Sequence, residues 1–298
     1  MSASDITVAN AQQASDARVN VITDREFDAI RTWIYETAGI NLSAQKKALV
    51  MGRLASRLRH HRLQSYGDYF KLLKSGRPEH EAELQIAIDL LTTNETHFFR
   101  EPKHFDFLRH TVLPQHTAQR ARRPFRAWSA ASSSGEEAYS IAMTLAAVLG
   151  CDANTAPWEV VATDLSSRVL ARAAAGHYSL ARTEGIPREY LRAYCLKGVG
   201  AQEGTFMVAQ HIRSRVRFSQ INLNQALPAL GEFDVIFLRN VMIYFDIPTK
   251  RQVVARVLSC LRPGGYLLIG HSESLNGVVD TVKSIAPSIY QKPLAAKQ

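Results

Sequence analysis

The chain has 298 residues, 46% hydrophobic and 21% charged, ordinary for a globular protein and enough for one large domain plus a smaller one. No apolar run approaches the ~20 residues that span a bilayer, and the polar Met1–Asn20 stretch lacks the apolar core of an export signal; both point to a cytoplasmic protein without direct membrane insertion. The net charge of +9 calls for an acidic partner, with nucleic acid, an anionic membrane surface and an acidic protein all allowed.

Residues 1–21, rich in Ser, Ala, Gln and Asn, read as a flexible tail. Residues 22–91 read as an all-helical N-terminal domain. Asp24 is placed to cap a helix that carries Phe27, Ile30, Ile34 and Tyr35, and Gly39 breaks it. Residues 45–63 put Leu49, Val50, Leu54, Leu58 and Leu63 on one face. The other face holds Lys46, Lys47, Arg53, Arg57, Arg59, His60, His61 and Arg62. Helices near Tyr66–Lys74 and over Glu79–Leu91 follow, separated by Ser75-Gly-Arg-Pro78. Residues 92–124 read as a linker.

From Phe125 strands and helices alternate. The expected order is strand Phe125–Ala131, helix Glu136–Gly150, strand Glu159–Thr163, helix Ser167–Gly176, strand Phe233–Leu238 and helix Pro248–Leu261. A turn, Arg262-Pro-Gly-Gly265, then leads to strand Tyr266–Gly270. Such alternation builds an α/β domain, a Rossmann-like, largely parallel sheet with helices on both faces, over residues 125–298. Residues 178–220 break the rhythm with two strands, Thr205–Gln210 and Val216–Gln220, and read as an inserted small antiparallel β subdomain. Cys151, Cys195 and Cys260 lie far apart with no His at metal-ligand spacing. They read as reduced packing residues, and no metal is expected.

The Phe125–Asp164 stretch has the order of a nucleotide-type cofactor site. Its loop, Ser129-Ala-Ala-Ser-Ser-Ser-Gly135, has one glycine, whereas a dinucleotide site wants Gly-x-Gly-x-x-Gly. No lysine follows as in a phosphate-binding P-loop. Glu136 and Glu137 open the next helix; they suit its dipole and would repel a pyrophosphate. S-adenosylmethionine carries a sulfonium and an ammonium and no phosphate, so charge favours it over NAD or ATP. Asp164, at the tip of the next strand, is placed to take the ribose hydroxyls or, alternatively, to cap the helix after it.

Two flanking segments add polar residues. Thr93-Asn-Glu-Thr-His-Phe-Phe-Arg100 groups Asn94, Thr96 and Arg100 beside two phenylalanines. Arg239-Asn-Val-Met-Ile-Tyr-Phe245 puts Arg239 and Asn240 at the C-terminal tip of a buried strand, the edge where open α/β sheets bind ligands. Together with Trp128-Ser-Ala-Ala-Ser-Ser-Ser-Gly-Glu-Glu137 and Gly270-His-Ser-Glu-Ser274, they resemble the CheR-type chemotaxis receptor methyltransferases over residues 22–292.

The resemblance implies a protein-glutamate O-methyltransferase. It would use S-adenosylmethionine, release S-adenosylhomocysteine and esterify glutamates on the cytoplasmic helices of methyl-accepting chemoreceptors. Asn94, Thr96 and Arg100 would line the methionine end of the cofactor. Glu137 would bind its amino-acid or adenosyl part, Asp164 the ribose, and Asn222 with Leu223 the adenine. Arg239 and Asn240 would close the pocket, with Arg100 and Tyr244 nearest the transferred methyl. Ser132 stands where many relatives carry Cys, and Ala138 where proline is common.

Receptor methylation regions are acidic helices, which makes Arg53, Arg57 and Arg59 substrate-binding candidates. Gly198, Gly200 and Gly204 match a Gly-x-Gly-x-x-x-Gly loop in relatives that dock a receptor's C-terminal pentapeptide tether. Lys197 and Met207 replace two arginines typical of those tether binders. A monomer that binds no nucleic acid is expected. One rival is a nucleic-acid or small-molecule methyltransferase, but such enzymes usually place Asn-Pro-Pro-Tyr where this chain has Asn240-Val-Met-Ile-Tyr244. Another is a non-catalytic adaptor that senses the cofactor, against which Arg100, Asp164 and Tyr244 all speak.

Overall fold

A computed structural model describes residues 21–118, 123–151 and 158–294. The chain forms two compact units, one ending at Glu36 and resuming over Leu42–Leu91, the other comprising Thr37–Asn41 and the chain from Thr92 onward. The expected tail lies outside the described residues except for Val21.

The helical unit uses α1 (Asp24–Ala38), α2 (Lys47–His60), α3 (Tyr66–Leu73) and α4 (Pro78–Leu91). The cap of α1 is Thr23 rather than Asp24. Thr23 Oγ1 accepts from the Glu26 amide at 3.2 Å, and the Glu26 carboxylate accepts from the Thr23 amide at 2.8 Å. This reciprocal pair is a capping box, which needs Ser or Thr three residues before Glu. Ile30, Ile34, Val50, Leu54, Leu58 and Tyr69 are among the buried residues that form the unit's core.

Within that core sits Glu83, only 5% exposed. It accepts from Arg57 Nε at 2.8 Å and again from Arg57 Nη2, from the Tyr69 hydroxyl at 2.6 Å, and pairs with His61 at 2.9 Å. Burial alone would raise the Glu83 carboxyl, but the hydrogen bonds from Arg57, Tyr69 and His61 outweigh it and hold it at about 2. Arg57 thus ties α2 to α4, while Arg53 Nη1 donates to the Leu91 carbonyl at 2.8 Å at the end of α4.

The second unit is built on a seven-stranded sheet. In chain order its strands are β1 (Phe125–Ser129), β2 (Trp158–Asp164), β6 (Val216–Gln220), β7 (Phe233–Leu238), β8 (Leu261–Ile269), β9 (Lys283–Ala286) and β10 (Ile289–Gln291). Across the sheet they run β6-β2-β1-β7-β8-β10-β9. Pairing is parallel from β6 to β8 and antiparallel for β10 and β9. Helices α7 (Glu136–Leu149), α8 (Ser167–Ala175) and α11 (Ile247–Ser259) connect the strands. Along β1, Phe125 and Ala127 face one apolar core and Trp128 the other, the alternation expected of a sheet covered on both faces.

Three expectations are corrected. Val216–Gln220 belongs to the main sheet, parallel to β2 with Val216 opposite Val160. The insertion is smaller: β3 (His177–Ser179), β4 (Cys195–Lys197) and β5 (Thr205–Val208) in the antiparallel order β3-β5-β4, with α9 (Arg188–Tyr194) between β3 and β4. A short helix, α10 (Gln210–Arg213), leads back to β6. Arg262-Pro-Gly-Gly265 is a bulge inside β8 rather than a turn ahead of it: Phe233 pairs with Leu261 but Val235 with Tyr266, and Gly264 has φ +78°. The Gly264 amide donates to the Lys292 carbonyl and the Lys292 amide to Gly265, both at 2.9 Å, which ties this bulge to the C-terminal segment. Finally, residues 92–124 are more than a linker. They include α5 (Lys103–Phe107), a π-helical turn over Leu108–Val112 and α6 (Leu113–Ala118). Phe105, Leu108, Val112 and Leu113 enter the core on one face of the sheet. No helix among the described residues is long and apolar enough to cross a membrane.

The Glu83 cluster generates a prediction. Glu83→Gln removes the counter-ion of Arg57 and is expected to cost about 3 kcal/mol at pH 7, the lower end for breaking a buried pair. An unfolded glutamate titrates near ~4.3, and Glu83 in the folded unit at about 2. Its contribution is therefore complete above ~4.3 and is lost as pH falls through about 2. Denaturant unfolding curves of wild type and variant should converge over that window; a gap that stays constant down to pH 2 would contradict it.

Candidate active site

The chain leaves β1 toward β2 and β6, and leaves β7 toward β8, so neighbouring β1 and β7 mark a topological switch point. A crevice at the C-terminal ends of the strands follows from that geometry. Asp164 ends β2, Ser129 ends β1, and Arg239 follows β7 directly.

The loop after β1 is pinned at several points. The Ser132 amide donates to the Thr163 carbonyl at 2.8 Å. Ser133 is left-handed, with φ +49°, and its amide donates to Asp164 Oδ2 at 2.8 Å. Asp164 Oδ1 accepts from the Ser166 amide at 2.9 Å. Asp164 does not cap α8; Ser166 does, its hydroxyl accepting from the Val169 amide. Gly135 has φ +96°, and a Cβ there would lie 2.8 Å from that of Ala173, so only glycine fits. The Ser132 hydroxyl is buried with no hydrogen-bond partner among the described residues, which makes cysteine an easy replacement. The Ile221 amide donates to the Asp164 carbonyl at 3.0 Å and so brings Asn222 and Leu223 beside Asp164. The Asn222 side chain donates to the Thr37 carbonyl at 2.6 Å and accepts from the Asn224 amide at 2.9 Å.

Arg239 is the hub. It is 4% exposed. Its Nη1 donates to Glu137 Oε2 at 2.9 Å, and its Nη2 lies 2.9 Å from Glu101 Oε2 and donates to the Arg100 carbonyl. Glu137 also accepts from the Ser129 hydroxyl at 2.7 Å. Burial pushes the Glu137 carboxyl up, against the pull of Arg239 and Ser129. Burial would also raise Glu101, but Arg239 and the His271 amide hold it below the usual carboxylate range. Burial and the Arg239 charge drive the His104 imidazole down to about 3, so it is neutral near pH 7.

Glu136 is paired as well. It accepts from the Ser134 hydroxyl at 2.7 Å and from Arg182 at 3.2 Å, and Arg182 also donates to the Thr96 carbonyl at 2.8 Å. The two acids at the start of α7 are therefore neutralised from within. They are not a free lure for a cation. What fits a phosphate-free adenosyl cofactor is the pair of carboxylates at this helix end together with Asp164 at the tip of β2.

Several other residues assemble here. Asn94 accepts at its carbonyl from the Ser133 hydroxyl at 2.7 Å. Arg100 is half-buried, between two left-handed residues, Phe99 (φ +53°) and Glu101 (φ +59°). Asn240 is left-handed too, with φ +57°. Its amide donates to Glu273 Oε2 at 2.9 Å, and the same carboxylate accepts from the Met242 and Gly270 amides at 2.8 and 2.7 Å. Glu273 thus holds the turn that carries Tyr244, itself half-buried at the end of a 3-10 turn over Met242–Tyr244. Glu101, Arg182 and Glu273 were not among the expected site residues. Glu273 lies inside the Gly270–Ser274 motif and Glu101 directly follows Arg100, which are the only local signals for them.

Other candidates lie elsewhere. Arg53, Arg57 and Arg59 are on α2 of the helical unit, where Arg59 is exposed. Gly198, Gly200 and Gly204 shape the β4–β5 connection. A Cβ on Gly198 would lie 2.0 Å from the Gln202 carbonyl oxygen, and Gly200 and Gly204 have positive φ.

The five parallel strands closed by an antiparallel β10, the acid at the tip of β2 and the pinned loop at the start of α7 define an S-adenosylmethionine-dependent methyltransferase. Residues 94–290 match the family described as CheR methyltransferase, SAM binding domain, and residues 25–92 match the CheR methyltransferase all-alpha domain. The chain is 41% identical over 269 residues to chemotaxis protein methyltransferase 2 of Pseudomonas aeruginosa, covering 90% of this chain and 93% of that protein. It is 42% identical over 258 residues to the chemotaxis protein methyltransferase of Escherichia coli, covering 86% of each. The chain belongs to the CheR methyltransferase family, and its cofactor is S-adenosylmethionine.

Arg239→Met would leave Glu137 and Glu101 without their buried counter-ion. It is expected to lower stability by about 3–5 kcal/mol and to weaken S-adenosylhomocysteine binding at least tenfold, measured by denaturant unfolding and calorimetry. Retention of both wild-type values would contradict the role of Arg239 as the hub.

Proposed function

We propose that the protein transfers methyl groups to glutamate side chains on the cytoplasmic helices of chemoreceptors, forming glutamyl methyl esters. The observation that carries this reading is that Arg239 joins the segment bearing Asn94, Thr96 and Arg100 to the strand edge bearing Asn240 and Tyr244. The protein acts in the cytoplasm as a monomer.

A glutamate side chain titrates near ~4.3 and is an anion at neutral pH, so no general base is needed. S-adenosylmethionine, when bound, supplies an electrophilic methyl. Asn94 and Thr96 line its methionine end with Arg100, Glu137 binds through its buried carboxylate, Asp164 takes the ribose, and Asn222 with Leu223 holds the adenine. Arg239 and Asn240 close the pocket. Arg100 orients the incoming carboxylate and Tyr244 steers it by a hydrogen bond. Near-attack placement of this kind is worth several kcal/mol. Tyr244→Phe should lower turnover roughly 5–10-fold, the size of one hydrogen bond of about 1 kcal/mol, with cofactor affinity unchanged. Equal rates of methyl transfer would remove Tyr244 from the mechanism.

The basic face of α2 meets the acidic receptor helices. Arg53 and Arg57 are engaged inside the helical unit, which leaves exposed Arg59, with Lys46 and Arg62, to make direct contact. Arg59→Glu should weaken binding of a receptor cytoplasmic fragment several-fold without loss of stability, whereas Arg57→Glu should destabilise the helical unit. Unchanged fragment affinity in Arg59→Glu would move the docking face elsewhere. A receptor's C-terminal pentapeptide adds to the outer edge of β4 by strand addition. Supporting this, β4 is an edge strand, and Leu196 and Val199 on it and beside it are exposed.

The whole reading is tested by tritiated methyl transfer from S-adenosylmethionine to a receptor cytoplasmic fragment. Base should release the counts as volatile methanol, the signature of a glutamyl ester. Base-stable counts, or none, would overturn it.

A further inference from the structure

Glu101 and His104, three residues apart, converge beside Arg239 with His271 from far along the chain. Glu101 Oε2 lies 3.4 Å from His104 Nδ1 and 3.8 Å from His271 Nε2. One ligand atom from each residue falls within 4.8 Å of the others. Spacing along the chain hides the group, because His271 follows β8 while Glu101 and His104 precede β1.

The hydrogen bonding of His104 is what singles it out. The ring is fully buried, and its Nε2 lies 2.8 Å from the Ser288 hydroxyl oxygen. That hydroxyl donates its own proton to the Pro287 carbonyl at 2.6 Å, so it can only accept from the imidazole. The ring proton is therefore on Nε2, and Nδ1 presents a bare lone pair. Nδ1 is buried with no hydrogen-bond partner among the described residues, and the Glu101 carboxylate, another acceptor, lies 3.4 Å from it. Two acceptors facing each other in a buried place are satisfied together by a cation. A histidine that gives its other N–H to a fixed oxygen, as His104 does to Ser288, has the arrangement typical of metal ligands.

We propose that Glu101, His104 and His271 bind a divalent transition-metal ion of the zinc class, with Nδ1 of His104, Nε2 of His271 and one Glu101 oxygen as ligands and solvent completing a tetrahedron. Zinc–ligand bonds of ~2.0–2.2 Å put tetrahedral ligand atoms about 3.4 Å apart. The His104–Glu101 pair already has that separation, and His271, 49% exposed at its side chain, closes the rest by rotation. Two imidazoles and one carboxylate suit zinc and not magnesium, which takes oxygen ligands. The same Glu101 oxygen lies 2.9 Å from Arg239, so ion and guanidinium compete for it. Metal occupancy loosens Glu101 from Arg239 and opposes cofactor binding; this second clause rests on the cofactor placement proposed above.

The test is calorimetry on the cofactor-free full chain with zinc chloride, magnesium chloride as control, and cobalt(II) absorption to report coordination. Wild type should bind zinc 1:1 in the micromolar range and give the visible bands of tetrahedral cobalt. His271→Ala should bind at least tenfold more weakly with methyl transfer unchanged in metal-free buffer, and magnesium should give no heat. Absence of zinc binding, or equal binding in His271→Ala, overturns the site whatever the cofactor does. Zinc should also weaken S-adenosylhomocysteine binding at least threefold in wild type and not in His271→Ala; equal affinity with and without zinc overturns the antagonism.

Discussion

One buried guanidinium sets the geometry on which the candidate active site depends. Taking the Arg239 charge out of water costs several kcal/mol unless it is fully paired, and its planar fork offers donors in fixed directions. Those donors reach Glu137 at the start of α7 and Glu101 and the Arg100 carbonyl in the segment before α5. These bonds tie helix, loop and strand tip to one another. Asn240 is the next residue in the chain, so its position is set by the same constraint.

Around that hub the backbone is held in conformations it would not choose. Phe99, Glu101, Ser133 and Asn240 are left-handed, which costs non-glycine residues about 1–2 kcal/mol each. Each has an identifiable restraint, and for Phe99 it is the Ser140 hydroxyl, which accepts from its amide at 2.9 Å. Asp164 holds the Ser133 amide, Glu273 holds the Asn240 amide, and Arg239 holds the Glu101 carboxylate. Strained residues persist where surrounding contacts over-determine them. Here the contacts are buried carboxylates and one hydroxyl on backbone amides, with one buried arginine, which favour a pocket formed before ligand arrives.

The sheet and its helices were legible because alternating apolar patterns need no partner to be read. Phe233–Leu238 matches β7 residue for residue, and Glu136–Leu149 differs from the expected helix by its last residue. Three-residue strands such as β3, β4 and β10 are too short to show a period, and β9, at four residues, adds little to mark the β9–β10 hairpin. The pattern of Val216–Gln220 marks a strand but not its place at the edge of the parallel sheet, since partner choice is a tertiary property. In the site, Asn94, Glu137, Asp164, Arg239 and Asn240 come together as the motifs suggest. What the chain order conceals is pairing. Glu136 and Glu137 look like free acids, yet their arginines lie 46 and 102 residues further on. Arg57 looks like part of a solvated basic face, yet Glu83 claims it.

The central claim is that Arg239 couples α7 to the cofactor pocket, beyond adding charge to it. A double-mutant cycle of Arg239→Met and Glu137→Gln, read as S-adenosylhomocysteine affinity by calorimetry, tests this most directly. A coupling energy of about 1–3 kcal/mol, the range for partners in one network, is the predicted result. Additivity within about 0.5 kcal/mol would show that the two residues act independently and would contradict the account.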